Sequence, residues 1–328
     1  MKTGRSISRA HLRSLGWERN RIDHATGGQL HRVLHGVYSH SENPEAVIAC
    51  LLEHAGPVSA LSHRFAAHLH GFDLFEQRPP IELTVPFGST FHPTSSDPAR
   101  PGILVHRSRT LDPADIEPHL GSGSITNKAR TLLDLARFLT ADQLEVVVES
   151  ALRSTDRFDP GAWDRACSDR LTELSRTHAP GVRKLRIVLA RRPPACRPTG
   201  SPRETVLLQA SRSVGHGDLQ RQVQLTVTDL ATGETITIFP DLAELEQLGV
   251  AMEYDGEQYH RDRRSAERRR DNLVGRVVQI IRFDSTTSIA ENAAQIQATL
   301  RLASRRTWPD PSWIITRGDH EVTITIPK

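Results

Sequence analysis

Cysteine is nearly absent from this chain of 328 residues, and its scarcity excludes two classes of protein. Cys50, Cys167 and Cys196 lie too far apart for the paired spacing of a zinc site or of a disulfide-stapled fold, and Cys50 falls in an apolar helical run that reads as core. A reducing, cytoplasmic setting is the expectation. Long apolar runs are missing too. Nothing approaches the roughly eighteen consecutive apolar residues of a membrane span, and the opening Met-Lys-Thr-Gly-Arg leads into polar helix rather than a signal-peptide core. No membrane partner is expected. Lysine is the third shortage, 4 against 38 arginines, an imbalance that coding bias explains as well as chemistry does. The loop Gly121-Ser-Gly-Ser accordingly lacks the Lys-Ser/Thr ending of a phosphate cradle and reads as a plain loop.

Acidic residues are missing between Leu174 and Arg203, where Arg176, Arg183, Lys184, Arg186, Arg191, Arg192, Arg197 and Arg203 stand unopposed. A second cluster, Arg261 to Arg282, sets eight arginines against Asp262, Glu267 and Asp271. The net charge of +3 is a weak argument for nucleic acid. The clusters are stronger, since they match the footprint of a phosphate-binding surface; for either patch alone a solvated helix face is an equal alternative.

What is present concentrates between Ile238 and His260. Val250 to Asp255 has the short apolar character of a buried strand, yet Glu253 and Asp255 lie two residues apart and so point to one face of it. Burying charge there without a partner is costly. Thr235 to Phe239 reads as a preceding strand that ends at Pro240-Asp241, which sets Asp241 at a strand end beside Glu253. A hard divalent cation, Mg²⁺ above all or Mn²⁺, is the partner that favours oxygen ligands held this way.

With Glu204 in Ser-Pro-Arg-Glu, Asp241, Glu253-Tyr-Asp255-Gly256 and the trailing His260, roughly the last third of the chain resembles the Vsr-like (very-short-patch-repair) branch of the PD-(D/E)XK nucleases. The resemblance implies an order α-β-β-β-α-β-α over 200–306 and a metal-dependent phosphodiesterase. In that site Asp241 and Glu253 are metal ligands, Asp255 is either a further ligand or the replacement for the superfamily's lysine, and Glu204 acts from the second rank. Asp255 stands where the superfamily's lysine would be, which leaves the general base open. His260 is the candidate to move a proton because its ordinary pKa lies near neutrality, and a surface histidine capping the next helix is an equal reading. Arg264, Arg268 and Arg269, on the expected helix from Arg264 to Gly275, would line the nucleic acid. Val277 and Val278 stand where relatives carry Gly and Trp.

The N-terminal residues 1–40 suggest a second function. Ser8 is placed as an N-cap, Gly16 stops the first helix, a second helix runs from about Glu18 to Thr26, and Leu30 to Tyr38 alternates like a wing. Leu30, Arg32 and Gly36-Val37-Tyr38 resemble the wing of the winged-helix domain of AbiEi-like (type IV) antitoxins. That resemblance puts Arg19 and Arg21 toward a DNA major groove and Arg32 on phosphate, with Pro44 to His54 needed to complete the core. A helical hairpin used only for packing is the alternative. His31 and His35, four apart, do not read as zinc ligands, because four strand residues span about 13 Å and no cysteine pair is near.

Residues 41–155 alternate helices with the strands Ile81 to Pro86 and Gly102 to Arg107, and close on helices Asn127 to Leu139 and Ala141 to Leu152. Val58 to Ala67 and Ile125 to Ala136 resemble blocks of the same antitoxins. Arg130 and Asp134 read as an i,i+4 helix pair, and Ser62-His63 as a cap or core feature rather than catalysts. Residues 156–199 read as a basic helical connector with a break at Ala179-Pro180-Gly181, and 307–328 as a tail with one extra strand. The expected fold class is therefore α+β and multidomain: winged helix, mixed α/β middle domain, Vsr-like PD-(D/E)XK domain. Two functions follow from different classes. One is a Mg²⁺-dependent endonuclease acting on nucleic acid, with duplex DNA the expected partner; the other is a non-catalytic regulator or antitoxin with a cognate toxin protein as partner.

Overall fold

The computed structural model describes residues 6–26, 28–40, 43–74, 78–93, 102–119, 123–153, 162–193, 196–216, 219–254, 270–283, 287–318 and 320–327. These form an α+β protein in two compact units, Met1–Val147 with Asp164–Ile187 and Val148–Trp163 with Val188–Lys328. None of the described helices is long and apolar enough to cross a membrane.

The first unit begins with β1 (Ile7–Ser8), α1 (Arg9–Ser14), α2 (Arg19–Ala25), β2 (His31–Leu34) and β3 (Val37–Ser39), in a sheet ordered β1-β3-β2. Ser8 caps α1 by accepting the His11 amide at 3.1 Å, and Gly16, at φ 81°, ends it in the left-handed conformation that glycine adopts without strain. Of α2 only Ile22 is buried, against Leu12, Leu30 and Tyr38, so Arg19 and Arg21 remain outside.

Asn43 and Pro44 start α3 (Pro44–Ala55), whose Cys50, Leu51 and Leu52 share one core with Val33, Leu34 and Val37 of the small sheet. Leu61, Leu83 and Ile125 belong to the same core, so the elements before and after residue 40 share one core within this unit. These three come from β4 (Ala60–Leu61), β5 (Ile81–Pro86) and β8 (Gly123–Thr126), which with β6 (Ile103–Ser108) and β7 (Ile116–His119) form a sheet ordered β6-β5-β4-β8-β7. Its helices are α4 (His63–Leu69), α5 (Lys128–Leu135), α6 (Ala141–Leu152), α7 (Ala162–Ser175) and α8 (Val182–Ala190), of which α6 and α8 run on into the second unit. The helix expected over Asn127 to Leu139 stops at Leu135, where Arg137 and Phe138 donate to the carbonyls of Asp134 and Leu135 and tighten the last turn. Arg130 does pair with Asp134 at 2.9 Å, but in a buried network with Asp115 rather than on a wet surface.

The second unit holds α9 (Pro202–Ser213), β9 (Gln220–Arg221), β10 (Gln224–Asp229), β11 (Glu234–Ile238), β12 (Leu242–Glu244), β13 (Val250–Tyr254), β14 (Gln279–Phe283), α10 (Ile289–Ala303), β15 (Ile314–Arg317) and β16 (Glu321–Ile326). Residues 270–274 are helical between β13 and β14. One hairpin serves two sheets. Its register, Leu225 opposite Ile238 in the outer ladder and Arg221 opposite Leu242 in the inner, is continuous, and the Gln222 amide bridges the two by donating to the Asp241 carbonyl at 3.0 Å. At that bend the chain leaves the sheet β11-β10-β16-β15 and enters β14-β13-β12-β9.

The expected single strand of the tail is a hairpin instead, because Gly318 reverses the chain with its amide on the Glu321 carbonyl at 2.8 Å. Its second strand, β16, runs parallel to β10 and buries Val322, Ile324 and Ile326 with Leu225 and Val227, so these residues belong to the core of the unit. Trp308 fixes the approach. Its indole donates to the Val277 carbonyl at 2.8 Å and lies over Gly249, where a Cβ would run into the indole ring. The face of β12-β13-β14 carrying Leu242, Val250, Met252, Ile281 and Phe283 packs on α9 and α10.

Candidate functional site

The period of two along β12 and β13 decides which carboxylates meet. Leu242 is opposite Met252 and both face the helices, so the next residues along, Asp241 and Glu253, lie opposite one another on the other face. The Tyr254 amide donates to Asp241 Oδ2 at 2.7 Å and holds that carboxylate against the end of β13. Glu204 arrives from another direction. Ser201 accepts the Glu204 amide at 3.2 Å and Pro202 opens the helix, so Glu204 sits in the first turn of α9 with a buried side chain. Its carboxylate accepts the Gly200 amide at 2.6 Å and the side-chain amide of Gln222 at 2.7 Å, and the same Gln222 nitrogen stands 3.4 Å from Asp241 Oδ1.

Three like charges gathered in this way show in the acidity of Asp241. Burial, then the neighbouring charge of Glu204, and more weakly that of Glu253, push its pKa up to about 6 against the Tyr254 and Gln222 hydrogen bonds. Glu253 is held differently. Arg270 donates to one of its oxygens and Arg282, its partner in the β13-β14 register, approaches the other at 3.4 Å. Arg282 is itself anchored on Asp271 at 2.5 Å, and that bond draws the Asp271 pKa down. Arg203 lies 5.2 Å from the centre of the Tyr254 ring and brings positive charge to the rim.

Of the expected site residues, Glu204, Asp241 and Glu253 are thus brought together. Asp255 and His260 lie outside the described residues, as do Arg264, Arg268 and Arg269. Among the described residues no three His, Cys, Asp or Glu side chains are arranged to hold a metal ion. The donor set, oxygen throughout, suits a hard divalent cation in its chemistry, and such an ion would offset the burial and, after it, the neighbouring carboxylate charge that raise the Asp241 pKa.

In the first unit Arg19 reaches toward Asp23 at 3.8 Å, Arg21 stacks 4.3 Å over Trp17, and Arg32 meets His35 Nδ1 at 2.8 Å. Arg9, absent from the sequence reading, donates to the Tyr38 hydroxyl at 2.8 Å and to Asp23 at 3.3 Å, tying α1 to β3 and α2. Gln222 and Arg282 were also missed, and no local pattern marks either, since both act on residues distant in sequence. No family model matches this chain, and no curated protein is similar to it.

Proposed function

We propose that this chain is a DNA-binding protein whose second unit is an endonuclease that hydrolyses phosphodiester bonds with Mg²⁺ or Mn²⁺. The observation that carries the reading is the convergence of Glu204, Asp241 and Glu253 from a helix start, a hairpin bend and a strand, with Asp241 feeling the charge of both others. A domain that only gripped DNA would gain nothing from three carboxylates turned toward phosphates. Asp241 and Glu253, with Asp255, would hold the cation, which supplies charge screening at phosphate and a more acidic water when bound. Glu204, fixed by the Gly200 amide and Gln222, would orient a water molecule at the site. Arg270 and Arg282 pair with the Glu253 carboxylate and set positive charge beside it. His260 remains the candidate for moving the proton. The helix order α9, β9 to β13, the 270–274 helix, β14 and α10 supports the Vsr-like resemblance, and the sheet order β1-β3-β2 around α1 and α2 supports a winged helix whose Arg19, Arg21 and Arg32 meet phosphate.

The engagement of Glu253 by two arginines favours a second reading, a regulator or antitoxin with a toxin partner, in which the carboxylates are tied up internally. Incubation of the full chain with supercoiled duplex DNA and Mn²⁺ separates the two. Nicking that is lost in both Asp241→Asn and Glu204→Gln supports the nuclease; a gel shift without cleavage at any divalent ion concentration supports the regulator.

A further inference from the structure

Among the described residues only two other than glycine, His63 and Gln222, have a left-handed backbone, and Gln222 stands at φ 49° in the bend between the two sheets. Glutamine gains nothing locally from that conformation, which side chains avoid on steric grounds. Such strain persists only where the surroundings impose it. Here both backbone polar groups of Gln222 are held: its amide donates to the Asp241 carbonyl at 3.0 Å and its carbonyl accepts from Arg197 at 3.2 Å. The result is to aim the side chain inward. Its Nε2 lies 2.7 Å from Glu204 Oε2 and 3.4 Å from Asp241 Oδ1, and an amide nitrogen carries two hydrogens, one for each carboxylate. Gly200 completes the enclosure. A Cβ there would stand 2.8 Å from Glu204 Oε1 and 3.2 Å from Gln222 Nε2, so the space around the bridge is filled to contact.

We propose that Gln222 is a positioning residue of the carboxylate site, a neutral clamp that turns Glu204 and Asp241 toward one shared point before any cation arrives. This assignment rests on reading these carboxylates as a cation site. Two neighbouring carboxylates without a shared donor repel and rotate apart, and a cation between them would be needed to hold them. A doubly donating amide does that work without charge, so it leaves the negative potential that attracts the ion intact. Partners of this kind, one step removed from the metal, change affinity by about ten- to a hundredfold when lost.

Gln222→Gly tests the clamp cleanly, because glycine takes the left-handed conformation without strain while removing the amide. Gln222→Asn, which also tolerates that conformation but is one methylene shorter, is the second variant should the first fail to fold. Two readouts on the full chain are needed. Amide exchange followed by NMR should accelerate about tenfold or more at Gly200 and Tyr254, whose N–H groups donate to the two carboxylates, with the Leu225 to Ile238 ladder unchanged. Calorimetric titration with MnCl₂ should show a dissociation constant raised about tenfold or more. Wild-type exchange at both amides in the variants would overturn the clamp. So would faster exchange with a Mn²⁺ affinity within about twofold of the parent, since the amide would then be structural only. A parent chain that binds no Mn²⁺ removes the metal reading instead, and the exchange data alone then decide whether Gln222 holds the two carboxylates.

Discussion

Replacing Asp241 by Asn should make the protein more stable at neutral and alkaline pH while removing its response to divalent ions. The Asp241 pKa is raised from 3.8 to about 6 by burial and by Glu204 and Glu253. The folded carboxyl therefore binds a proton more tightly than the unfolded one, so between pH 3.8 and 6 the folded state carries more protons and stability falls as pH rises. Above that window the destabilisation is complete, and below it absent. Two pKa units correspond to about 3 kcal/mol as a ceiling, and solvent screening of a partly exposed carboxylate reduces this to about 1–2 kcal/mol. Asparagine keeps an oxygen for the Tyr254 amide and lacks the charge. Urea unfolding at pH 8 should show Asp241→Asn ahead by that margin and at pH 5 by roughly half of it. Adding MnCl₂ at pH 8 should stabilise the parent and leave the variant unmoved. A variant less stable than the parent at pH 8 would refute the reasoning, because it would mean that Tyr254 and Gln222 hold the carboxylate more strongly than its neighbours repel it.

Arg32→Ala should weaken binding to duplex DNA of any sequence and lower the slope of log affinity against log salt by about one unit, measured by fluorescence anisotropy over a salt series; an unchanged slope would take Arg32 off the backbone. Glu149, fully buried between Arg192 at 2.5 Å and Arg221 at 2.8 Å, should destabilise the second unit by about 3–5 kcal/mol when replaced by Ala, as the buried Arg221 and the partly buried Arg192 lose their partner; a urea midpoint within experimental error of the parent would contradict this. His63 is buried against His106, its ring stacked at 3.6 Å, and burial followed by the His106 charge lowers its pKa to about 3. The folded state then binds fewer protons than the unfolded one between pH 3 and 6.5, and stability should fall by up to about 1.4 kcal/mol per pH unit as pH drops below 6.5. His63→Asn, which tolerates the φ of 54°, should flatten that profile in urea titrations between pH 5 and 7, and an equally steep profile would assign the acid sensitivity elsewhere.

Much of the candidate site was legible because it depends on spacing. Ser201 and Pro202 announce a helix start and put Glu204 in its first turn, and Pro240 interrupts a strand just before Asp241. The alternation of Val250 to Tyr254 sends Met252 to one face and Glu253 to the other. The first cap was equally plain: Ser8 begins α1 where its side chain suggested. Each of these is a property of a few consecutive residues, fixed by backbone geometry that the chain carries with it.

Other features came from contacts between distant parts of the chain. Trp313 to Pro327 alternates as a strand would, but only the pairing of β16 with β10 turns a tail into the middle of a sheet. Glu253 looks like an uncommitted ligand until the parallel register with β14 sets Arg282 beside it and the 270–274 helix adds Arg270. Gln222 reads as an ordinary strand residue. Its left-handed backbone and inward amide exist because the hairpin is bound to one sheet before the bend and to another after it, and strain imposed from both ends leaves no mark in the residues nearby. Sequence thus determined which side chains each element could present, since helix and strand periods are local. Which of them share one point was decided by the tertiary structure, because pairing register and sheet order are set by the burial of apolar faces far apart in the chain.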